Sequence, residues 1–94
     1  MAAVFFTAAM AQSSGADVYK AKCQGCHGAD GKAVTPVGKA LSVKPANDPT
    51  VKKLTQAAMI EIVLNGKGKM QAFKGKLTDD QIKASVEYFR TFTK

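Results

Sequence analysis

Ninety-four residues make one domain, and a chain this short buries too small a share of its surface to build a large core from side chains alone. Fourteen basic residues against seven acidic ones give a net charge of +7, which suits an acidic partner or an anionic membrane surface. No nucleic-acid motif accompanies that charge, and no apolar run reaches the ~20 residues needed for a permanent membrane span, so neither nucleic acid nor stable membrane insertion is expected.

Residues 1–11, MAAVFFTAAMA, are apolar and uncharged and end in Ala9-Met10-Ala11, the small-x-small pattern at which export signals are cut. They read as the tail of an export signal that lacks a basic start, which places the protein in the periplasm or otherwise outside the cytoplasm. Residues 12–15 read as a linker, and residues 16–94 as the domain. The first helix begins where Ser14 can cap it and Asp17 can favour its dipole. Val18 and Ala21 are expected to face inward, with Tyr19 one turn before Cys23. The helix then runs into Cys23-Gln24-Gly25-Cys26-His27, with Gly28 and Gly31 marking its end.

That pentapeptide is the only place where thiols meet an imidazole, because the chain holds two cysteines and one histidine. On a helical turn, Cys23, Cys26 and His27 share one side. Two thiols so spaced can add across the two vinyl groups at one haem edge, leaving the adjacent imidazole as proximal ligand to the iron. A thioredoxin-like site would want a preceding strand, and nothing upstream reads as one. A structural zinc would need four ligands, which the chain does not have. The reading is one covalently attached haem c. It would also supplement the small core, since several hundred Å² of apolar contact contributes on the order of 10 kcal/mol.

From Gly28 to Asn47 no period persists, and three glycines and two prolines point to an irregular loop. Asp48-Pro49 reads as the cap and first residue of a short turn through about Lys53. Thr55 caps a helix over Gln56–Asn65, with Leu54 and Met59 spaced as a hydrophobic staple and Gly66 as terminator. Residues 66–76, GKGKMQAFKGK, read as a loop. Thr78-Asp79-Asp80-Gln81 is a capping box stapled by Leu77 and Ile82, opening a helix to about Phe92 with Ile82, Val86 and Phe89 on its apolar stripe. Arg90 and Lys94 complement its dipole. No segment alternates as a strand, so the class is all-α.

With a single histidine, the iron's other axial position falls to Met, Lys, water or an outside ligand. Beyond the apolar segment, two methionines remain. Met59 lies within an apolar helix, where methionine is usually core filler. Met70 lies in the Gly/Lys loop, where permissive backbone can aim a thioether at a metal, and Phe73 follows as an aromatic that could cover the haem.

The attachment motif, the string NGKGKMQAFKGKLTDDQI and the terminal helix, in that order, resemble the class I c-type cytochromes of the small bacterial and photosynthetic kind, from Asp17 to the last helix. The resemblance implies the cytochrome c fold: three main helices plus short turns around one haem, the first and last crossing near one end. It implies His27 as proximal and Met70 as distal axial ligand. It also implies that the carbonyl of Pro36 accepts a hydrogen bond from the His27 Nδ1–H, which would fix the tautomer. One position departs from the pattern: Gln71 follows Met70 where the family usually has proline, freeing φ and restoring an N–H.

Two strong-field axial ligands suit outer-sphere electron transfer, and no acid–base pair stands beside the motif. The expected function is a soluble, monomeric electron carrier and not an enzyme. The alternatives are a haem peroxidase or small-ligand sensor with a labile Met70, or a haem domain or subunit of a larger oxidoreductase. Lys67, Lys69, Lys74 and Lys76 flank Met70, four of thirteen lysines in eleven residues. They form the expected docking face for an acidic redox partner, a membrane oxidoreductase or terminal oxidase.

Overall fold

The computed structural model describes residues 14–94, so the apolar segment 1–11 and the first half of the expected linker lie outside the described residues. The second half of that linker is the start of the first helix. Helix α1 (Gly15–Lys22) is capped by Ser14, whose Oγ accepts the Asp17 N–H at 3.2 Å. Cys23 closes it and Gln24–His27 follow as a single turn, α2, ended by Gly28 at φ +84°. Val18 and Tyr19 are buried, but Ala21 is exposed. The buried face runs through Tyr19, and that choice leaves Ala21 toward solvent.

The segment expected as continuous loop contains a helix, α3 (Pro36–Ala40). Thr35 caps it, accepting the Gly38 N–H at 2.9 Å, and Pro36 takes the first helical position. Five residues are too few for a period to register, so only the cap chemistry could have disclosed it. Asp48 and Pro49 open α4 (Pro49–Lys52), and Thr55 opens α5 (Gln56–Asn65), which Gly66 terminates. The Thr78–Gln81 capping box forms in both directions at the start of α6 (Asp79–Arg90). That helix stops two residues short of Phe92, because the N–H groups of Thr91 and Phe92 turn back to the carbonyls of Tyr88 and Phe89. Among the described residues there are no strands, only isolated bridges at Lys67–Met70 and Lys74–Leu77.

The helices pack as a crossing. At Gly15 the α1 backbone lies so close to α6 that a Cβ would fall 2.1 Å from the Ala84 carbonyl oxygen, so only glycine fits. One turn on, the Tyr19 ring meets Tyr88, Phe89 and Phe92 at centroid separations of 5.3, 6.2 and 5.7 Å. Ile82 and Val86 bury the next part of the α6 stripe. Helix α5 lies against α6 as well, and Gln56 reaches Glu87 at 3.4 Å. The consequence is a frame in which α1 delivers the cysteine turn to one side of α6 and α5 walls the space beside it.

Candidate functional site

The Cys23–His27 turn is held by its backbone. The His27 N–H donates to the Cys23 carbonyl at 3.0 Å, and the His27 carbonyl accepts from the Ala33 N–H at 2.9 Å. On one flank the buried Tyr19 hydroxyl donates to the Gly28 carbonyl at 2.6 Å. On the other, Thr35 Oγ1 donates to the Gly25 carbonyl at 2.7 Å while it caps α3. Gly38 of α3 presses against the same turn, since a Cβ there would sit 2.3 Å from the Cys26 carbonyl oxygen. Helix α3 therefore acts as a brace behind the motif.

In front of the turn lies an open cleft with an almost wholly apolar lining. Cys23 and His27 line it from the motif, Tyr19 from α1, and Ser85, Val86 and Phe89 from α6. Val51, Leu54, Met59, Ile62 and Val63 close the opposite side, and Met70 enters from the loop. Lys44 contributes the one ammonium of the lining. Ser85 adds little polarity, because its hydroxyl donates to the Ile82 carbonyl at 2.9 Å.

The electrostatics separate the readings of the motif. No disulfide joins Cys23 and Cys26, and burial, with the neighbouring Cys26, pushes the Cys23 thiol up to about 11. A dithiol redox centre needs the opposite, a thiol pulled down toward neutrality. Burial also lowers the His27 pKa, so the imidazole is neutral at pH 7, the form that binds metal. Its Nδ1 is buried with no hydrogen-bond partner, and Phe89 meets the ring edge-on at 5.3 Å. An apolar cleft with the Cys23 thiol and a neutral imidazole at its wall, and Cys26 one turn on beside it, fits a haem.

Pro36 opens α3, and His27 Nδ1 is buried with no hydrogen-bond partner among the described residues. Phe73 is 5% exposed and belongs to the core, outside the cleft lining. It serves the site through its backbone, because the Phe73 and Lys74 N–H groups donate to the Val63 and Leu64 carbonyls at 2.8 and 3.1 Å and dock the loop on α5. Met70 is fixed by reciprocal bonds with Lys67, at 3.1 and 3.0 Å. Gln71, in the position of the family's proline, accepts from Lys76 Nζ at 3.0 Å through its side chain. Lys67, Lys69, Lys74 and Lys76 are all exposed. Cys26 is half-buried and outside the cleft lining.

Residues of the site that escaped the sequence reading include Thr35, Gly38 and Ser85. Thr35-Pro36 repeats the cap-then-proline signal of Asp48-Pro49 and was open to detection. Gly38 carries no local signal, because its role comes from its approach to the Cys26 carbonyl twelve residues back.

The family model described as "Cytochrome C oxidase, cbb3-type, subunit III" matches residues 10–89. Cytochrome c6 of Leptolyngbya boryana is 37% identical over 76 residues, covering 81% of this chain and 86% of that protein. Cytochrome c6 of Euglena gracilis is 38% identical over 77 residues, covering 82% and 87%. The solved structure of a c-type cytochrome, KustC0563, superposes with a TM-score of 0.78 at 33% identity, over 87% of this chain and all of that one.

Replacing Tyr19 by Phe keeps the aromatic packing and strips the Gly28 carbonyl of its donor. The expected cost is about 1–3 kcal/mol at neutral pH, measured by denaturant unfolding of the haem-loaded protein. Burial raises the Tyr19 pKa, so the folded state favours the neutral phenol. Its contribution is whole below the ordinary tyrosine value of about 10 and is lost as pH rises above it, and the two proteins converge there.

Proposed function

The chain belongs to the class I c-type cytochromes, and from that membership we propose that Cys23 and Cys26 bind its haem c covalently while His27 and Met70 take the two axial positions on the iron. It is an electron carrier and not an enzyme. One observation carries the assignment of residues: Cys23, His27 and Met70, from two segments more than forty residues apart, line the same apolar cleft.

The haem, when bound, supplies a one-electron ferric/ferrous couple. The protein's part is to hold two ligands that need not move between oxidation states. His27 is suited to this because its peptide is fixed from both sides, by Ala33 at its carbonyl and by Tyr19 through Gly28. Met70 is suited because its loop is docked on the carboxyl end of α5. A thioether ligand favours ferrous iron and raises the potential. The apolar walls exclude water and act in the same direction, disfavouring the extra charge of the ferric state.

The partners on this reading are acidic redox proteins, a membrane oxidoreductase or terminal oxidase, met by Lys67, Lys69, Lys74 and Lys76. These lysines are exposed on the loop that carries Met70, so a partner docked there lies close to the cleft. Export is supported by segment 1–11 and by an attachment chemistry carried out beyond the cytoplasm. Among the described residues no helix is long and apolar enough to cross a membrane.

Met70→Ala is expected to abolish the thioether-to-iron absorption of the ferric protein and to lower its potential. Met59→Ala is expected to retain the absorption and to lose ~2–5 kcal/mol of stability through the cavity it leaves. Optical titration and unfolding of both variants check this, and the reverse pattern would move the ligand to Met59. For docking, the bimolecular electron-transfer rate should fall as added salt shortens the Debye length from ~10 Å at 0.1 M to ~3 Å at 1 M. Lys67→Glu with Lys74→Glu should slow transfer at low salt and flatten that dependence. Stopped-flow rates with the native partner that match wild type at every salt concentration would reduce these lysines to a solvated surface.

A further inference from the structure

Two thioethers line the cleft, Met59 and Met70, and the proposed ligation uses one. We infer that Arg90 is the positioning residue that settles this choice, by holding the Met59 sulfur on the protein side of the cleft so that Met70 alone meets the iron. The inference rests on the reading of Met70 as axial ligand.

Arg90 ends α6, where a cation complementing the helix dipole can stay in solvent. Its side chain instead turns inward and is part-buried. Nη1 donates to the Leu54 carbonyl at 2.9 Å, thirty-six positions away in sequence, and approaches Met59 Sδ at 3.9 Å. The carbonyl bond is the stronger of the two and fixes the guanidinium. The sulfur contact is weak, but it has a direction: it turns one of the two lone pairs toward the guanidinium and so biases where the sulfur sits. Arginine keeps its proton at any pH the protein meets, so the donor is always present.

Helix geometry alone does not exclude Met59. Methionine has three rotatable bonds and adapts to the space it borders. Met59 is 6% exposed and borders the same cleft as His27. Met70 has no counterpart to the Arg90 contact, since among the described residues no side chain donates a hydrogen bond to its sulfur. Arg90 thus divides the two methionines into one committed to the protein and one left for the cofactor.

The test uses haem-loaded protein carrying methyl-13C methionine, read in the ferrous state by 1H–13C NMR. A thioether on ferrous haem iron lies over the porphyrin and its methyl resonance is shifted strongly upfield. Wild type should give one such resonance, and Met70→Leu should lose it. If it is missing from wild type, or is lost in Met59→Leu and kept in Met70→Leu, the ligand reading itself fails; if Met59→Leu keeps it and Met70→Leu keeps one too, Met59 replaces Met70 with Arg90 in place and the inference on Arg90 fails. Given that loss, adding Arg90→Leu to Met70→Leu should restore an upfield methyl. Adding Met59→Leu as a third change should remove it again. Where Arg90→Leu yields no holoprotein, Arg90→Lys replaces it: the charge stays, but one ammonium on a shorter stem does not reach both the Leu54 carbonyl and Met59 Sδ. A haem-loaded Met70→Leu protein with either change at Arg90, and with the Met59 methyl still unshifted, would overturn the inference.

Discussion

The contact on which the remaining structure depends is the crossing of α1 and α6, where Gly15 lets two backbones approach and Tyr19 sinks its ring among Tyr88, Phe89 and Phe92. Aromatic pairs of this kind add about 0.5–1.5 kcal/mol each beyond the area they bury. Their larger effect is positional. Helix α1 ends in the cysteine turn, so the crossing decides where Cys23 and His27 stand relative to Ser85, Val86 and Phe89 on α6. The Tyr19 hydroxyl then ties the same ring to the Gly28 carbonyl, next to His27, which joins the core packing to the site in one residue.

The opposite wall is built differently. Helix α5 and the Met70 loop are joined by backbone bonds from Phe73 and Lys74 to the last turn of α5, so the loop carrying the thioether moves with the helix. Arg90 joins α6 to the start of α5 through the Leu54 carbonyl. A cleft braced at both ends keeps its two ligating sides at a constant separation. Constant separation is what a one-electron carrier requires, because any rearrangement between oxidation states adds to the barrier for transfer. The charged loop lysines are exposed outside this frame.

Most of this was legible where chemistry is local. The caps at Ser14, Thr55 and Thr78 and the terminators at Gly28 and Gly66 act within three or four residues, and each stands where its side chain predicts. The cysteine turn was legible because its spacing is its chemistry. What escaped depends on distant partners. Helix α3 is signalled locally only by its Thr35-Pro36 cap, and its place behind the cysteine turn depends on Thr35 bonding the Gly25 carbonyl and Gly38 lying against the Cys26 carbonyl, ten and twelve residues back. Arg90 read as a dipole partner, yet its hydrogen bond is to Leu54. Phe73 read as a cofactor cover, yet its ring is core and its contribution is a backbone N–H. Pro36 read as an acceptor for His27, and it stands at the first position of α3 while His27 Nδ1 has no partner among the described residues.

The central claim is that the protein's own side chains enclose the core without filling it, so that the covalently held haem completes the fold. The Cys23→Ser/Cys26→Ser chain, produced without haem and followed by far-ultraviolet circular dichroism on heating, tests this most directly. The account predicts weak helical signal and no cooperative transition, because the walls of an empty apolar cleft lose their contacts and the small core is left short of buried area. A native-like helical spectrum with a cooperative melt would contradict it and would make the cleft a binding site in a fold that stands without its cofactor.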